Sequence, residues 1–260
     1  MILDDIVATK QDHVRRLQKA FSRSRLEDLI KARPPRRSLK KALDLGAGPR
    51  VIAEIKRAAP SRGPIDLEAD AAQVARAYQA GGAAAISVLT DEPFFKGRAE
   101  DLLEARQAVE LPVLCKDFLV TDFQVRYAAA MGADAILLIT AILDRKRLQD
   151  LLALAHDLRL EALVEVHDRD ELETALAIGP SLLGINNRNL KTMQVDLETT
   201  RSLAAEAGPG VTVVSESGIS SRPDLDRLMA AGVRAFLVGT SLMLAKDRTL
   251  ALKALLGEAS

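Results

Sequence analysis

From residue 51 onward the chain alternates two hydrophobic patterns. Short apolar runs appear at VIAEIK (51–56), AAISVL (84–89), PVLCKDF (112–118), DAILLI (134–139), EALVEV (161–166), LLGINN (182–187), VTVVSES (211–217) and RAFLVG (234–239). Between them lie stretches with helical spacing, such as DLEADAAQVARAYQAGG, TDFQVRYAAAMG and DRKRLQDLLALAHDL. Several of these segments stop at a glycine, Gly82, Gly132 or Gly179, as a helix terminus does. Strand and helix in strict alternation imply parallel strands joined by crossover helices. Eight such units in about 210 residues predict an α/β fold, a closed (β/α)8 TIM barrel near the lower end of its usual size. An open doubly wound sheet is the alternative, but the glycine-rich dinucleotide turn is missing after the first run. DLGAGPR (44–50) precedes that run instead of following it.

Residues 1–50 stand outside this count and are expected to form an N-terminal helical extension on a catalytic barrel of residues 51–260, one single domain overall. Two helical pieces, near 3–20 and 23–32, lead into a basic RPPRR turn. The extension holds 13 Lys and Arg against 6 acids, so it is positive while the barrel is negative. It is either a solvated arm that plugs the bottom or side of the barrel, or a cover that brings positive charge toward an anionic ligand.

Composition narrows the function classes. The 260 residues are 48% apolar and 28% charged, with 36 basic and 36 acidic side chains. That is an ordinary balance for a globular protein with a large core. A formal net charge of zero draws the chain neither to nucleic acid nor to an anionic membrane, so any anion must be met by local charge. A single cysteine, Cys115, excludes an intrachain disulfide framework and a cysteine metal cluster and fits a reducing compartment. The opening MILDDIVATKQDHVRR does not read as a signal peptide, and no stretch reaches the roughly 18 unbroken apolar residues of a membrane helix. The expectation is a soluble cytoplasmic monomer.

In a parallel barrel, chemistry is supplied by the carboxyl ends of the strands and the loops after them. Polar residues interrupt the apolar runs at those places. The first run ends with Glu54 and Lys56, two apart and on one face. The third ends with Lys116, the fifth with Glu165, the sixth with Asn186 and Asn187 before Arg188, and the seventh with Ser215, Glu216 and Ser217. The second, fourth and eighth supply Leu89, Leu137 and Leu237. Two lysines and two glutamates converging on one mouth either close it as mutual ion pairs or tune one another into an acid and a base. Asn186 is a candidate for the same mouth or for a helix cap. Cys115 points the other way from Lys116 and reads as a buried thiol. The loops SESGIS (215–220) and LVGTSLM (237–243) follow the seventh and eighth runs, where this fold often binds phosphate, and Gly218 and Gly239 permit close backbone approach. His13, His156 and His167 lack metal-ligand spacing, and no metal motif is visible.

The motifs VIAEIKRAAPSRG, LCKDFLVTDFQV, GADAILLITAIL, LVEVHDRDEL, LGINNRNL, SESGIS and LVGTSLM resemble, in unbroken order from about 51 to 245, the indole-3-glycerol phosphate synthase family. The resemblance implies a carboxy-lyase of tryptophan biosynthesis with a basic helical N-terminal extension. The reaction it implies turns a small phosphorylated substrate, 1-(2-carboxyphenylamino)-1-deoxyribulose 5-phosphate, into indole-3-glycerol phosphate, carbon dioxide and water, with no cofactor. Carried over position by position, it makes Lys116 the general acid, Glu165 the base and Lys56 a second catalytic lysine. Glu54 and Asn186 match groups that hold sugar hydroxyls and orient the lysines. Phe95, Phe118, Leu137 and Leu237 resemble the wall around the anthranilate ring, with Arg188 as a polar neighbour. Ser217, Gly218, Gly239 and Thr240 match the phosphate cradle. One departure stands out: the family's usual Ser-Pro-Ser after the first strand reads Ala59, Pro60, Ser61 here. Two alternatives remain at this stage. Phosphoribosylanthranilate isomerase shares the barrel but needs a Cys/Asp pair, and a non-catalytic phosphate-binding barrel would dispense with one of the mouth charges.

Overall fold

A computed structural model describes residues 2–190 and 192–258, with the backbone alone for residues 2–4. The outermost positions of the expected 1–50 and 51–260 segments, residues 1, 259 and 260, lie outside the described residues.

All eight apolar runs become parallel strands: β1 Arg50–Ile55, β2 Ala85–Leu89, β3 Val113–Lys116, β4 Ala135–Ile139, β5 Glu161–Val166, β6 Leu182–Asn186, β7 Thr212–Glu216 and β8 Ala235–Val238. Each strand pairs with its sequence neighbours, and β1 pairs with β8 (Val51 opposite Phe236, Ala53 opposite Val238), so the sheet closes on itself. The fold is the expected (β/α)8 TIM barrel. The open-sheet alternative is overturned by that β1–β8 pairing. A two-stranded hairpin, Ala58–Ala59 with Gly63–Pro64, stands over the mouth after β1.

Side-chain alternation divides the apolar residues into two cores. Outward positions such as Val51, Ala53, Ile55, Val164, Val166 and Phe236 pack against the helix ring. Inward positions such as Ile52, Leu114, Leu137, Leu163, Val214 and Leu237 fill the barrel. Helix starts follow local chemistry. Asp70 accepts from Gln73 N at the start of Ala71–Ala80, and Asp144 accepts from Arg147 N at the start of Arg145–Asp157. Side-chain caps of this kind satisfy amides that the helix leaves open.

The extension comprises α1 (Ile2–Ala20), α2 (Arg23–Ala32) and a third helix absent from the sequence reading, α3 (Leu39–Asp44). Leu39 and Leu43 of α3 join the inward core, and α3 touches β1, β2 and β7. Thus α3 closes the amino-terminal end of the barrel. At the other end, α1 lends Ile6 to the mouth and buries Lys10 between the loops after β2 and β3. α3 takes the place of the plug in the first expectation, and α1 reaches the mouth where the second expectation put a cover. The positive charge of Lys10, however, is taken up by protein carboxylates.

Candidate active site

At the carboxyl ends of the strands the alternation that places Ile52, Leu114, Leu163, Leu182, Val214 and Leu237 inside the barrel places Glu54, Lys116, Glu165, Gly184, Glu216 and Gly239 one step above them. Lys56 lies one residue past β1 and donates to Glu54 Oε1 at 2.5 Å. Lys116 Nζ donates to Glu165 Oε2 at 2.9 Å and lies 3.2 Å from Glu216 Oε2. All four expected mouth charges converge, joined by a fifth, Glu216. The expected substrate positions line the same cavity: Phe95, Phe118, Leu137 and Leu237 on its apolar side, Asn186 and Arg188 above β6, and Ser217, Gly218, Gly239 and Thr240 above β7 and β8. Phe95 and Phe118 have ring centroids 6.2 Å apart. That spacing is within range of a mutual aromatic contact.

The electrostatics follow from burial and neighbours. Burial works against the Lys116 charge, but Glu165, Glu216 and Glu54 outweigh it and raise its pKa. Burial would likewise raise Glu165, yet Lys116 and His167 hold its carboxyl far below the usual carboxylate range. Glu216 responds the other way. Burial and the neighbouring Glu165 overcome Lys116 and push it up to about 8, and its Oε1 has no hydrogen-bond partner among the described residues. The site therefore holds a charged Lys116–Glu165 pair beside Glu216, whose carboxyl is held well above the usual carboxylate range.

The loops are fixed by buried polar contacts. Asn187 faces away from the mouth: its side-chain amide donates to Ser215 Oγ and to the carbonyls of Glu216 and Ser217, and its oxygen accepts from Thr200. Asn186 Oδ1 accepts from Arg188 N at 3.0 Å, a contact within its own loop and not the cap of a later helix. Ser217 holds a left-handed backbone, φ +69°, directly before Gly218 at φ +82°. A left-handed non-glycine residue is strained and is found preferentially at functional positions.

Three features escaped the sequence reading. Glu216 was noted at a strand end but given no role, although counting two residues on from Val214 places it inside. Gly184 is needed because a Cβ there would overlap Glu216 Oε1, and alternation with Asn186 was the available signal. Gly239 has a second reason to be glycine, since a Cβ would overlap Glu54 Oε1. Cys115 points outward as expected, contacts Thr90 Oγ1, and burial pushes its thiol up to about 12. Cys115 sits in the helix-side core and no cysteine among the described residues lines the mouth cavity, so the cysteine-based isomerase alternative lacks its thiol there.

A family model described as indole-3-glycerol phosphate synthase matches residues 3–255. The chain belongs to the indole-3-glycerol phosphate synthase family. A relative of that name from Desulfosudis oleivorans is 48% identical over 259 residues, covering 98% of each chain. Another from Burkholderia ambifaria is 48% identical over 248 residues, covering 93% of this chain and 94% of the relative. A third, from Neisseria meningitidis, is 45% identical over 252 residues and covers 95% of both. Among solved structures, a thiamine phosphate pyrophosphorylase from Pyrococcus furiosus superposes with a TM-score of 0.63 at 20% identity, covering 84% of this chain and 96% of that one. An N-acetylmannosamine-6-phosphate 2-epimerase from Clostridium perfringens gives 0.62 at 16%, covering 81% and 93%. At those identities the likeness bears on the barrel alone. Among the described residues no helix is long and apolar enough to cross a membrane, and no group of His, Cys, Asp and Glu is arranged to hold a metal ion.

Proposed function

We propose that this mouth closes the indole ring of indole-3-glycerol phosphate from 1-(2-carboxyphenylamino)-1-deoxyribulose 5-phosphate, with loss of carbon dioxide and water. The chain's family is one of decarboxylating lyases in tryptophan biosynthesis. The observation that carries the residue roles is the placement of Lys116, an ammonium between two buried carboxylates, at the centre of a cavity with an apolar aromatic wall on one side and glycine loops on another.

In this reading the anthranilate ring lies against Phe95, Phe118, Leu137 and Leu237, and the phosphate meets the loops of Ser217–Gly218 and Gly239–Thr240. Ring carbon attacks the ketone carbon, and the ketone oxygen gains negative charge. Lys116 donates a proton to that oxygen and stabilises the charge as it forms. Loss of carbon dioxide restores the aromatic ring; the new hydroxyl then takes a proton from a lysine ammonium and departs as water, while Glu165 accepts the proton lost from the neighbouring carbon bonded to nitrogen. Lys56, held by Glu54, faces the leaving carboxylate or assists dehydration. Asn186 and Arg188 hold the sugar and carboxylate oxygens. The extension and barrel act as one domain, consistent with α3 inside the barrel end and Lys10 beneath the mouth loops. The chain works as a cytoplasmic monomer on this small molecule, a state that sedimentation checks.

The test is appearance of indole fluorescence from the carboxyphenylamino substrate, compared between wild type and Lys116→Met. Methionine keeps the stem but removes the proton, so turnover should fall roughly 100-fold to 10,000-fold while product binding survives. Retention of more than about a tenth of wild-type turnover, well outside that range, makes Lys116 structural. Lack of turnover in wild type rejects the reaction itself.

A further inference from the structure

His167 has no part in the proposed reaction above, yet it is almost enclosed behind the mouth. It follows β5 by one residue, and its ring lies between two carboxylates. Nδ1 is 2.9 Å from Glu171 Oε2, on the helix Arg169–Leu176, and the same oxygen accepts the backbone N–H of His167 at 2.9 Å. On the other side Nε2 is 3.3 Å from Glu165 Oε1, an ion-pair contact short of a well-aligned hydrogen bond. Glu165 Oε2, its other oxygen, takes the bond from Lys116. The carboxylate is therefore gripped at both oxygens, by Lys116 from β3 and by His167 from its own strand's end. Of the surrounding charges, Glu216 and Glu54 act on Lys116, and Glu54 on Glu216, while Glu165 and Glu171 act on the imidazole.

Resting on the proposed role of Glu165, we propose that His167 is a positioning residue that remains an imidazolium at neutral pH and, braced by Glu171, holds Glu165 ionised and aimed at the substrate while Lys116 gives up its proton. The physical need is specific. When Lys116 transfers its proton to the ketone oxygen, Glu165 loses the positive charge of its main partner. A carboxylate so buried would then take up a proton or swing toward a new donor. A second cation on its far oxygen prevents both. Glu171 is what allows that cation to exist. A buried histidine facing one carboxylate can share its proton as a neutral pair, whereas one facing two carboxylates favours a proton on each nitrogen. Burial opposes the charge, but Glu165 and Glu171 prevail and raise the imidazole to about 10. His167 touches no reacting atom in this scheme; it acts through Glu165.

The experiment combines two readouts on the full chain. Nitrogen-15 NMR of histidine-labelled protein, with His13, His156 and His167 assigned by single substitution, should show His167 doubly protonated at pH 8. Glu171→Gln should lower its midpoint by roughly one unit or more, the effect of removing an opposite charge at contact distance. In steady-state kinetics His167→Gln keeps a donor but not the charge. It should lower kcat roughly 10-fold, the kinetic equivalent of one pKa unit, with KM within about twofold. Glu171→Gln should move kcat in the same direction, and serves if His167→Gln fails to fold. The proposal is overturned if His167 titrates at or below about 6.5, its unperturbed value. It is equally overturned if the variants lose thermal stability but keep wild-type kcat, which is the signature of a purely structural histidine. Because wild-type turnover is measured alongside, absence of the reaction is distinguishable from failure of this inference.

Discussion

Replacing Lys10 with methionine tests whether the extension is part of the site or an appendage. Lys10 is 2% exposed and lies 3.0 Å from Asp91 Oδ2 and 2.6 Å from Asp117 Oδ1. Burial opposes its charge, and Asp117 and Asp91 outweigh that to raise its pKa, so it is charged across the usable pH range. Methionine fills the space but leaves two enclosed carboxylates without their cation. Removing one partner of a buried pair costs about 3–5 kcal/mol. Part of the loss is offset here. Asp91 Oδ1 still accepts from Phe94 N and Phe95 N, and Asp117 still accepts from Thr90 Oγ1 and Phe118 N. The lower end, about 3 kcal/mol, is therefore expected, equivalent to a fall in melting temperature of roughly 6–12 °C. Because these carboxylates anchor the backbone of Phe95 and Phe118, KM for substrate should rise as well. Urea unfolding of Lys10→Met, Asp91→Asn and the double variant measures the coupling. An amide needs no cation, so the double variant should be less damaged than the sum of the singles, by about 0.5–3 kcal/mol. A loss below about 0.5 kcal/mol for Lys10→Met, the size of an ordinary surface change, would refute the reasoning.

Gly184→Ala should cost about 1–3 kcal/mol by overpacking against Glu216 and lower kcat with it, since Glu216 faces Lys116; unfolding midpoints beside turnover check this, and an unchanged kcat would show that displacing Glu216 does not reach Lys116. Glu216 is raised from 4.5 to about 8, so the stability it gives as a protonated group is full below pH 4.5 and is lost as pH rises through about 8; Glu216→Gln should abolish that part of the decline, and denaturant titrations at pH 5 and pH 9 that fall equally in both proteins would contradict it. Ala59 lines the mouth cavity, and restoring serine there should tighten substrate binding by about 1 kcal/mol, measurable by calorimetry, with no change indicating that another group already fills the role.

What the sequence made legible was whatever obeys a short period. The alternation of apolar runs and helices set the barrel, and their place at the carboxyl ends of the first, third and fifth runs put Glu54, Lys116 and Glu165 in one mouth before any coordinates. Features that depend on distant segments meeting were not legible. Helix α3 is only 6 residues long, too short to register as a periodic pattern, yet Leu39 and Leu43 end among inward side chains of strands far along the chain. Lys10 finds Asp91 and Asp117 only because α1 folds back over the loops after β2 and β3. His167 was weighed only as a metal ligand, and its two carboxylates come from positions two before and four after it, a spacing that means little until the turn after β5 brings them around one ring. Gly184 and Gly239 look like ordinary small residues until the carboxylates that occupy their missing Cβ positions are known.

The run Cys115–Lys116–Asp117 shows why a lysine belongs at the end of an apolar strand. Successive side chains on extended backbone point in opposite directions. Cys115 goes outward into the helix-layer core, Lys116 enters the mouth between Glu165 and Glu216, and Asp117 turns to Lys10 of α1 and to Thr90 after β2. Three neighbouring residues thus tie the scaffold, the proposed acid and the extension together. The arrangement is a poor way to gain stability, because burying lysines among glutamates returns little beyond the desolvation it incurs. It does give a group whose partners can change. A substrate carboxylate or developing alkoxide entering the cavity offers Lys116 an alternative to Glu165, while His167 keeps Glu165 charged once Lys116 turns away. On this argument the ion pairs that close the empty mouth and the acid and base of the reaction are the same groups at two moments, so the two sequence-level readings of those charges were never exclusive.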